Sequence, residues 1–256
     1  AVITLSKRMI NMEGFTGLVR RCVEDYNMID EGDHIAVGLS GGKDSLALLC
    51  ALSHLRAYYP KHFTLTAVTV DMGFDGMDFT PVKELCRRLV VPYRMIKTNI
   101  RHIVFENRSE KNPCSLCARM RRGKLNETII KAGMNKLALG HHRDDAAHTF
   151  LLSLFYEGRI HCFQPVTWLD RSGVTQIRPL LYAGEKDILS MITRYKLPVV
   201  ESTCPMNNIS KRQEVKELSA LLNDRYPDLA AKIFGAMQRY PLKGFAPARR
   251  LKQKYK

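Results

Sequence analysis

Short apolar segments that run into glycine-bearing or polar loops, each followed by helical periodicity, recur along this chain, and that alternation is its strongest constraint. HIAVGL (34–39) is apolar and partly β-branched; it leads into a glycine-bearing loop and then a helical pattern from Ser45. LTAVTV (65–70) reads as the next strand, and Thr80, Pro81 and Glu84 form an N-terminal helix signature around VKELCRRL. PYRMIK (92–97) is a further strand, a helical pattern runs from about Ser115 to Ala132, KLALG (136–140) is again a strand, and AAHTFLLSLFY (146–156) is helical. Strands alternating with helices predict a doubly wound α/β fold, a parallel sheet covered on both faces.

The flanks read differently. Residues 7–29 carry Phe15, Leu18, Val19, Cys22, Val23 and Tyr26 at helical spacing among Lys7, Arg8, Arg20 and Arg21, which predicts a basic amphipathic leading helix. After Gly158, FQPVTWL (163–169), the turn Asp170 to Gly173 and VTQIRPL (174–180) predict a hairpin. A helix over 184–195 and a short strand at PVV (198–200) follow. Residues 211–240 read as two helices broken at Tyr226-Pro227, and ARRLKQKYK closes the chain. The expected organisation is a basic helical segment over 1–33, an α/β domain over 34–205, and C-terminal helices with a basic tail over 206–256.

With 256 residues and 45% hydrophobic content, the chain has ample material for a sizeable core. Its apolar stretches are all interrupted before the ~20 residues that a membrane-spanning helix needs. The opening AVITLSKRMINMEG lacks an unbroken apolar core ahead of a cleavage site, so the expectation is a cytoplasmic protein with no membrane partner. Seven cysteines, an odd number, fit a reducing compartment better than a disulfide framework, so any special cysteines are ligands or catalysts. The net charge of +15 suits a polyanionic partner, since each phosphate neutralised by Lys or Arg releases a counterion; a solvated basic surface is the alternative.

Ser40-Gly41-Gly42-Lys43-Asp44-Ser45 sits where the first strand becomes a helix, the place where backbone amides and a helix N-terminus converge on an anion. The glycines allow close backbone approach, Ser40 and Ser45 supply hydroxyls, and Lys43 adds a point charge. Asp44 beside phosphates makes sense if it meets a metal ion such as Mg²⁺. The spacing differs from GxxxxGK[ST] and resembles the SGGKDS pattern of the PP-loop ATP pyrophosphatases. That resemblance implies cleavage of ATP between its α and β phosphates. A second match, LALGHHRDDAAHTFLL (137–152), resembles the family's GHHxDD loop, which implies that Gly140 and His141 face the nucleotide. Asp144 and Asp145 can hold a metal or orient a substrate group, and capping of the helix by Asp144 is the structural alternative. His141 and His142 are evenly balanced between a site role and a structural one.

Cys114-Ser115-Leu116-Cys117 precedes the basic Arg119, Arg121, Arg122 and Lys124, and a further cysteine, Cys204, stands apart. Three ligands leave a fourth position open: a [4Fe–4S] cluster on Cys114, Cys117 and Cys204 would have one iron free for an exogenous ligand. A thioredoxin-like persulfide carrier with Cys204 as the resolving thiol, or two unrelated helix-start cysteines, are the competing readings. Cys22, Cys50, Cys86 and Cys162 sit in core-like patterns.

PCSLCARMRRGKL, LALGHHRDDAAHTFLLSLFYEGRI, IRPLLYAGEKDI and the late cysteine ahead of KRQEVKELSALL together resemble the TtcA-type tRNA 2-thiocytidine synthetases over about residues 10–240. Some members have a second CxxC near the late cysteine, whereas Cys204 lies in ESTCPMNN, so only the single-cysteine ligand set transfers. The resemblance implies a [4Fe–4S] cluster on Cys114, Cys117 and Cys204, with ATP and Mg²⁺, and a sulfurtransferase that adenylates C2 of an anticodon-loop cytidine before sulfur replaces the oxygen. Asp44, Asp145 and Arg121 are the expected catalytic residues, with Arg119 and Arg122 sharing either charge stabilisation or a grip on tRNA phosphates. The implied partners are tRNA and a sulfur donor such as a cysteine desulfurase, and a homodimer is compatible. A tRNA uridine 2-thiolase and a non-catalytic iron–sulfur tRNA-binding protein are the rival functions. Lys7 to Arg21 and Arg249 to Lys256 are left as candidate tRNA contacts, with Arg20 and Arg21 the pair whose neutralisation tests this.

Overall fold

The computed structural model describes residues 12–107, 113–206 and 211–247. Six strands, β1 (Asp33–Gly38), β2 (Phe63–Asp71), β3 (Tyr93–Lys97), β4 (Lys136–Ala138), β5 (Val166–Leu169) and β6 (Val174–Ile177), form one sheet in the order β3-β2-β1-β4-β6-β5. All neighbours are parallel except β5 and β6, which form the expected hairpin with Gly173 at φ 62° in its turn. The sheet is therefore parallel with one antiparallel edge strand. Alternation along the strands sorts the core: Ile35, Val37, Leu65, Ala67 and Ala138 face one hydrophobic cluster, while Ala36, Val68 and Leu137 face the other.

The helices are α1 (Glu13–Asp25), α2 (Lys43–Leu55), α3 (Thr80–Arg88), α4 (Pro113–Lys131), α5 (Arg143–Glu157), α6 (Glu185–Tyr195), α7 (Lys211–Arg225) and α8 (Leu229–Arg239), with a short helical turn and a π-turn over 100–107 between β3 and α4. Leu125 and Ile129 of α4 cover one face of the sheet. On the other face, fully buried Val19, Cys22 and Val23 of α1 join α2 and the α8 residues Phe234 and Met237 in one cluster, so the flanking segments share the core of the central one.

Several expected boundaries move for local reasons. The leading helix stops at Asp25 because Asn27 takes a left-handed φ of 48° and Met28 N–H returns to Val23 O at 2.9 Å, a Schellman closure; Lys7 and Arg8, like Arg249 to Lys256, lie outside the described residues. α5 begins at Arg143, three residues before the apolar pattern, because Asp145 accepts the His142 N–H at 3.1 Å. Capping thus falls to Asp145, and the capping role considered for Asp144 is corrected: its carboxylate accepts the Glu185 N–H at 3.0 Å, at the start of α6. The strand expected at 198–200 is not one. Its Val200 N–H donates to Gly41 O at 3.0 Å, so the segment is tied to the glycine loop instead of a sheet edge.

One buried ion pair fixes the base of the sheet. Lys136 Nζ on β4 lies 2.6 Å from Asp33 Oδ2 and 2.8 Å from Asp30 Oδ2, and it donates to Met28 O at 3.0 Å. The Lys136 and Asp33 side chains are only 9% and 4% exposed, so Lys136→Met strands a desolvated carboxylate. The expected loss is about 3–5 kcal/mol, read as a lowered denaturation midpoint in urea.

Candidate active site

The strand order reverses at β1, with β2 on one side and β4 on the other, and crevices at such a switch point beyond the carboxyl ends of the strands are where doubly wound sheets bind ligands. The loops after β1 (39–42) and β4 (139–142) meet there. They border a cavity of about 300 Å³ whose lining includes Ser40, Asp44, Ser45, Gly140, His141, Asp145 and Arg121. Seven of the residues singled out in the sequence, drawn from three separate segments, therefore face one space. Gly41, Gly42 and Lys43 belong to the same loop without lining that space.

The loop is pre-organised by its own side chains. Ser45 Oγ donates to Gly42 O at 2.9 Å and accepts the Ser40 N–H at 3.2 Å, while Ser40 Oγ accepts the Gly42 N–H at 3.3 Å. Gly41 has φ +86°, and a Cβ there would stand 3.0 Å from the Val200 Cβ. Gly140 is needed for approach: its added Cβ would sit 3.0 Å from the Asp44 carbonyl carbon and 3.1 Å from Ser45 N, both backbone atoms of α2's first turn. The second loop is thus pressed against the first.

Charge is arranged around the cavity. Lys43 Nζ is held by Asp44 (2.8 Å) and by Glu185 (3.3 Å); burial depresses its pKa, but these two carboxylates outweigh burial and raise it. His142, 4% exposed, stands 3.6 Å from Asp44, 3.5 Å from Asp144 and 3.5 Å from Asp145. Burial alone would lower its pKa, yet the adjacent Asp144 carboxylate and the charges of Asp145 and Asp44 raise it, favouring the imidazolium. In return, Asp144 falls to about 2, its burial being overcome by His142, the Glu185 N–H and Arg143. His141 behaves oppositely: burial and then the Arg178 charge lower it to about 4, so it is neutral at pH 7. Its ring lies 5.0 Å from that of Phe163, whose other neighbour is the Arg178 guanidinium at 4.9 Å. His141 Nδ1 is buried with no hydrogen-bond partner among the described residues, which suits a cavity built for a polar ligand.

The cysteines adjoin this cavity. Cys114 and Cys117 occupy the first turn and a half of α4, and Arg121 and Leu125, one and two turns on, line the cavity wall. Cys117 Sγ lies 3.5 Å from Met72 Sδ, and Met72 also lines the cavity. Burial pushes the Cys117 thiol up; the Arg121 charge works against burial, while Cys204 and Cys114 are near enough to add to it. Cys204 is placed by its neighbour: Thr203 Oγ1 donates to Asp75 O at 2.9 Å, on the loop that follows β2. The stretch that is tied at Val200 to the glycine loop therefore ends at Val200's own downstream cysteine, beside α4. All seven cysteines are free thiols, and Cys22, Cys50, Cys86 and Cys162 are core residues.

Among the described residues no His, Cys, Asp or Glu group of three converges closely enough to hold a single metal ion. Cys114, Cys117 and Cys204 lie on two segments, each at least partly exposed, and near enough for Cys114 and Cys204 to influence the Cys117 thiol. Sequence reasoning missed Glu185 as an organiser of charge and left His142 balanced between a site role and a structural one. Glu185 stood in the quoted GEKDI run, but its reach to Lys43 depends on α6 packing beside α2.

A cradle at a switch point, built from the loops after β1 and β4, defines a PP-loop nucleotide-binding domain, and the family model described as a PP-loop domain matches residues 16–217. The chain is 39% identical over 222 residues to the tRNA-cytidine(32) 2-sulfurtransferase of Pelobacter propionicus, covering 86% of this chain and 82% of that one. It is 35% identical over 237 residues to the enzyme of the same name from Dechloromonas aromatica, covering 92% and 82%. The chain belongs to the family of these PP-loop tRNA-cytidine 2-sulfurtransferases. Among solved structures, its fold is similar to the U34-tRNA thiolase NcsA from Methanococcus maripaludis with its [4Fe–4S] cluster, at TM-score 0.73 and 24% identity, covering 88% of this chain and 78% of that one. Among the described residues no helix is long and apolar enough to cross a membrane.

Proposed function

We propose that this protein catalyses ATP-dependent 2-thiolation of a tRNA cytidine, the nucleotide at position 32 named for its relatives. The observation that carries the reading is α4, which holds Cys114 and Cys117 at one end and puts Arg121 into the wall of the nucleotide cavity a turn later.

The C2 oxygen of cytosine is a poor leaving group, and adenylation converts it into one. The amides of the 40–45 loop and Lys43 hold the phosphates of ATP, for which Lys43 exchanges its Asp44 and Glu185 partners. Asp44 and Asp145 are the carboxylates that would hold Mg²⁺ at the phosphates. Neutral His141 and Gly140 position the nucleotide opposite the loop, so that the base oxygen attacks the α phosphorus and pyrophosphate departs. Arg121 offsets charge on the activated base as sulfur arrives and AMP leaves. A [4Fe–4S] cluster on Cys114, Cys117 and Cys204 would supply an iron with no protein ligand, able to carry sulfide; sulfur from a persulfide donor such as a cysteine desulfurase would first take up two electrons from a thiol reductant. On this reading residues 34–205 carry both chemical sites, and the basic residues within Lys7 to Arg21 and Arg249 to Lys256 are the candidate RNA contacts.

The products test the scheme. Incubation with tRNA, ATP and sulfide should yield AMP, pyrophosphate and 2-thiocytidine in equal amounts, measured by chromatography of nucleotides and digested tRNA. ADP and phosphate would overturn adenylation, and 2-thiouridine would replace cytidine with uridine as the target.

A further inference from the structure

We propose that a second cavity, behind the turn that carries the histidines and aspartates, seats a backbone phosphate of the RNA substrate between Arg21 and Arg143. This rests on the tRNA-modifying reading above and adds a binding site to it. The cavity measures about 420 Å³ and lies between α1, the start of α5 and α8, with Arg21, Asp25, Arg143, Tyr182, Phe234 and Gln238 in its lining. The turn divides its residues between the two spaces: His141 and Asp145 line the nucleotide cavity, and Arg143 lines this one. A strand held here is thus anchored one turn of backbone away from the reacting groups.

Each arginine has a contact that holds it at the cavity, Arg143 half-buried and Arg21 exposed. The Arg21 guanidinium lies over the Tyr182 ring, 5.1 Å from its centroid, and stacking leaves the donor edge of a guanidinium free for an anion. Arg143 passes over Gly184, where any Cβ would collide with its guanidinium, and its buried Nε has no hydrogen-bond partner among the described residues. Neither arginine makes an ion pair within 4.0 Å among the described residues, although the Asp144 carboxylate lies beside Arg143 over Gly184 and feels its charge. The Arg239 guanidinium lies beside Gly235, a residue of the cavity wall, without itself lining the cavity. Against these stands Asp25, whose Oδ2 already accepts the Tyr182 hydroxyl at 2.9 Å. Arg20, the other half of the basic pair noted in the sequence, is different: its Nε is bound to Glu24 at 2.7 Å on the helix surface. The structure therefore separates Arg21 from Arg20 and joins it to Arg143, 122 positions away in the chain by 143 − 21.

Bidentate guanidinium groups converging on one space recognise a phosphate, either a diester of RNA or a free anion. Binding of the full-length protein to its tRNA is to be measured by fluorescence anisotropy over a series of salt concentrations, together with titration of inorganic phosphate alone. The double variant Arg21→Gln, Arg143→Gln should weaken tRNA binding roughly tenfold or more and lower the magnitude of the log K against log salt slope by about 1. Arg21→Lys, which keeps the charge, should keep the slope, and Arg20→Gln should match wild type. An unchanged slope in the double variant, or equal flattening by Arg20→Gln, overturns the site. Phosphate binding that the double variant abolishes while the RNA slope stays unchanged makes it a free-anion site and also overturns the assignment. Nucleoside analysis in parallel separates the two readings: tRNA binding without 2-thiocytidine sinks the proposed reaction, whereas an unchanged slope with intact thiolation sinks only this site.

Discussion

Cys117→Ala protein purified without oxygen is expected to contain neither iron nor acid-labile sulfide and to form no 2-thiocytidine. Cys114→Ala and Cys204→Ala should behave alike, because on the proposed assignment only three thiolates hold the cluster and none is spare. Loss of an outer-shell partner already costs a metal site roughly 10–100-fold, and removal of a direct ligand costs more. The three cysteines sit on two segments, α4 and the stretch that follows Val200, and each is at least partly exposed, so truncation to alanine opens no core cavity. The folded protein should therefore persist, with ATP still bound in the neighbouring cavity. Cys162→Ala is the contrasting variant. Cys162 is a core residue whose thiol burial lifts to about 12, and its loss should lower stability while leaving iron content intact. Stoichiometric zinc in place of iron in the wild-type protein, or iron retained in Cys204→Ala, would defeat the ligand assignment.

Gly140→Ala should cripple ATP use with every charged group still present. Its new Cβ would meet the backbone of Asp44 and Ser45 at 3.0–3.1 Å, so α2's first turn and the loop after β4 must part. A displacement near 1 Å at a catalytic centre can cost about 10²-fold, and that is the expected fall in kcat/KM for pyrophosphate release. Asp44→Asn supplies the complement: it leaves the backbone alone but removes one carboxylate from beside Lys43 and His142. If Gly140→Ala releases pyrophosphate at the wild-type rate while its thermal transition is unchanged, the apposed loops are not the nucleotide cradle.

Much of the architecture was legible because strands and helices write different periods into a sequence. HIAVGL, LTAVTV and KLALG became β1, β2 and β4 of a parallel sheet, and the SGGKDS run fell at the end of β1, where strand-to-loop-to-helix grammar puts it. The failures were local and had one cause. PVV (198–200) has strand composition, yet its Val200 N–H is taken by Gly41 O; Asp144 looks like a helix cap, yet it serves α6 while Asp145 caps α5. Hydrogen-bond partners supplied by distant segments leave no trace in local composition.

The site divides along the same line. The residues of the phosphate loop and the GHHRDD turn stood out by type and position, since phosphate binding needs glycine and amides at a helix start, whereas Cys114, Cys117 and Cys204 stood out only as candidates whose ligand role belongs to the proposed function. The sequence alone determined that inventory, together with a charge of +15 waiting for a partner. Only the tertiary structure decided which residues share a space. It brought Arg121 into the nucleotide wall, moved Lys43 between Asp44 and Glu185, and split the neighbours Arg20 and Arg21 between a surface ion pair and a cavity shared with Arg143. The physical reason is that contact energies act through space, across crossovers of a hundred residues or more, and the chain order that records residue identity does not record those contacts.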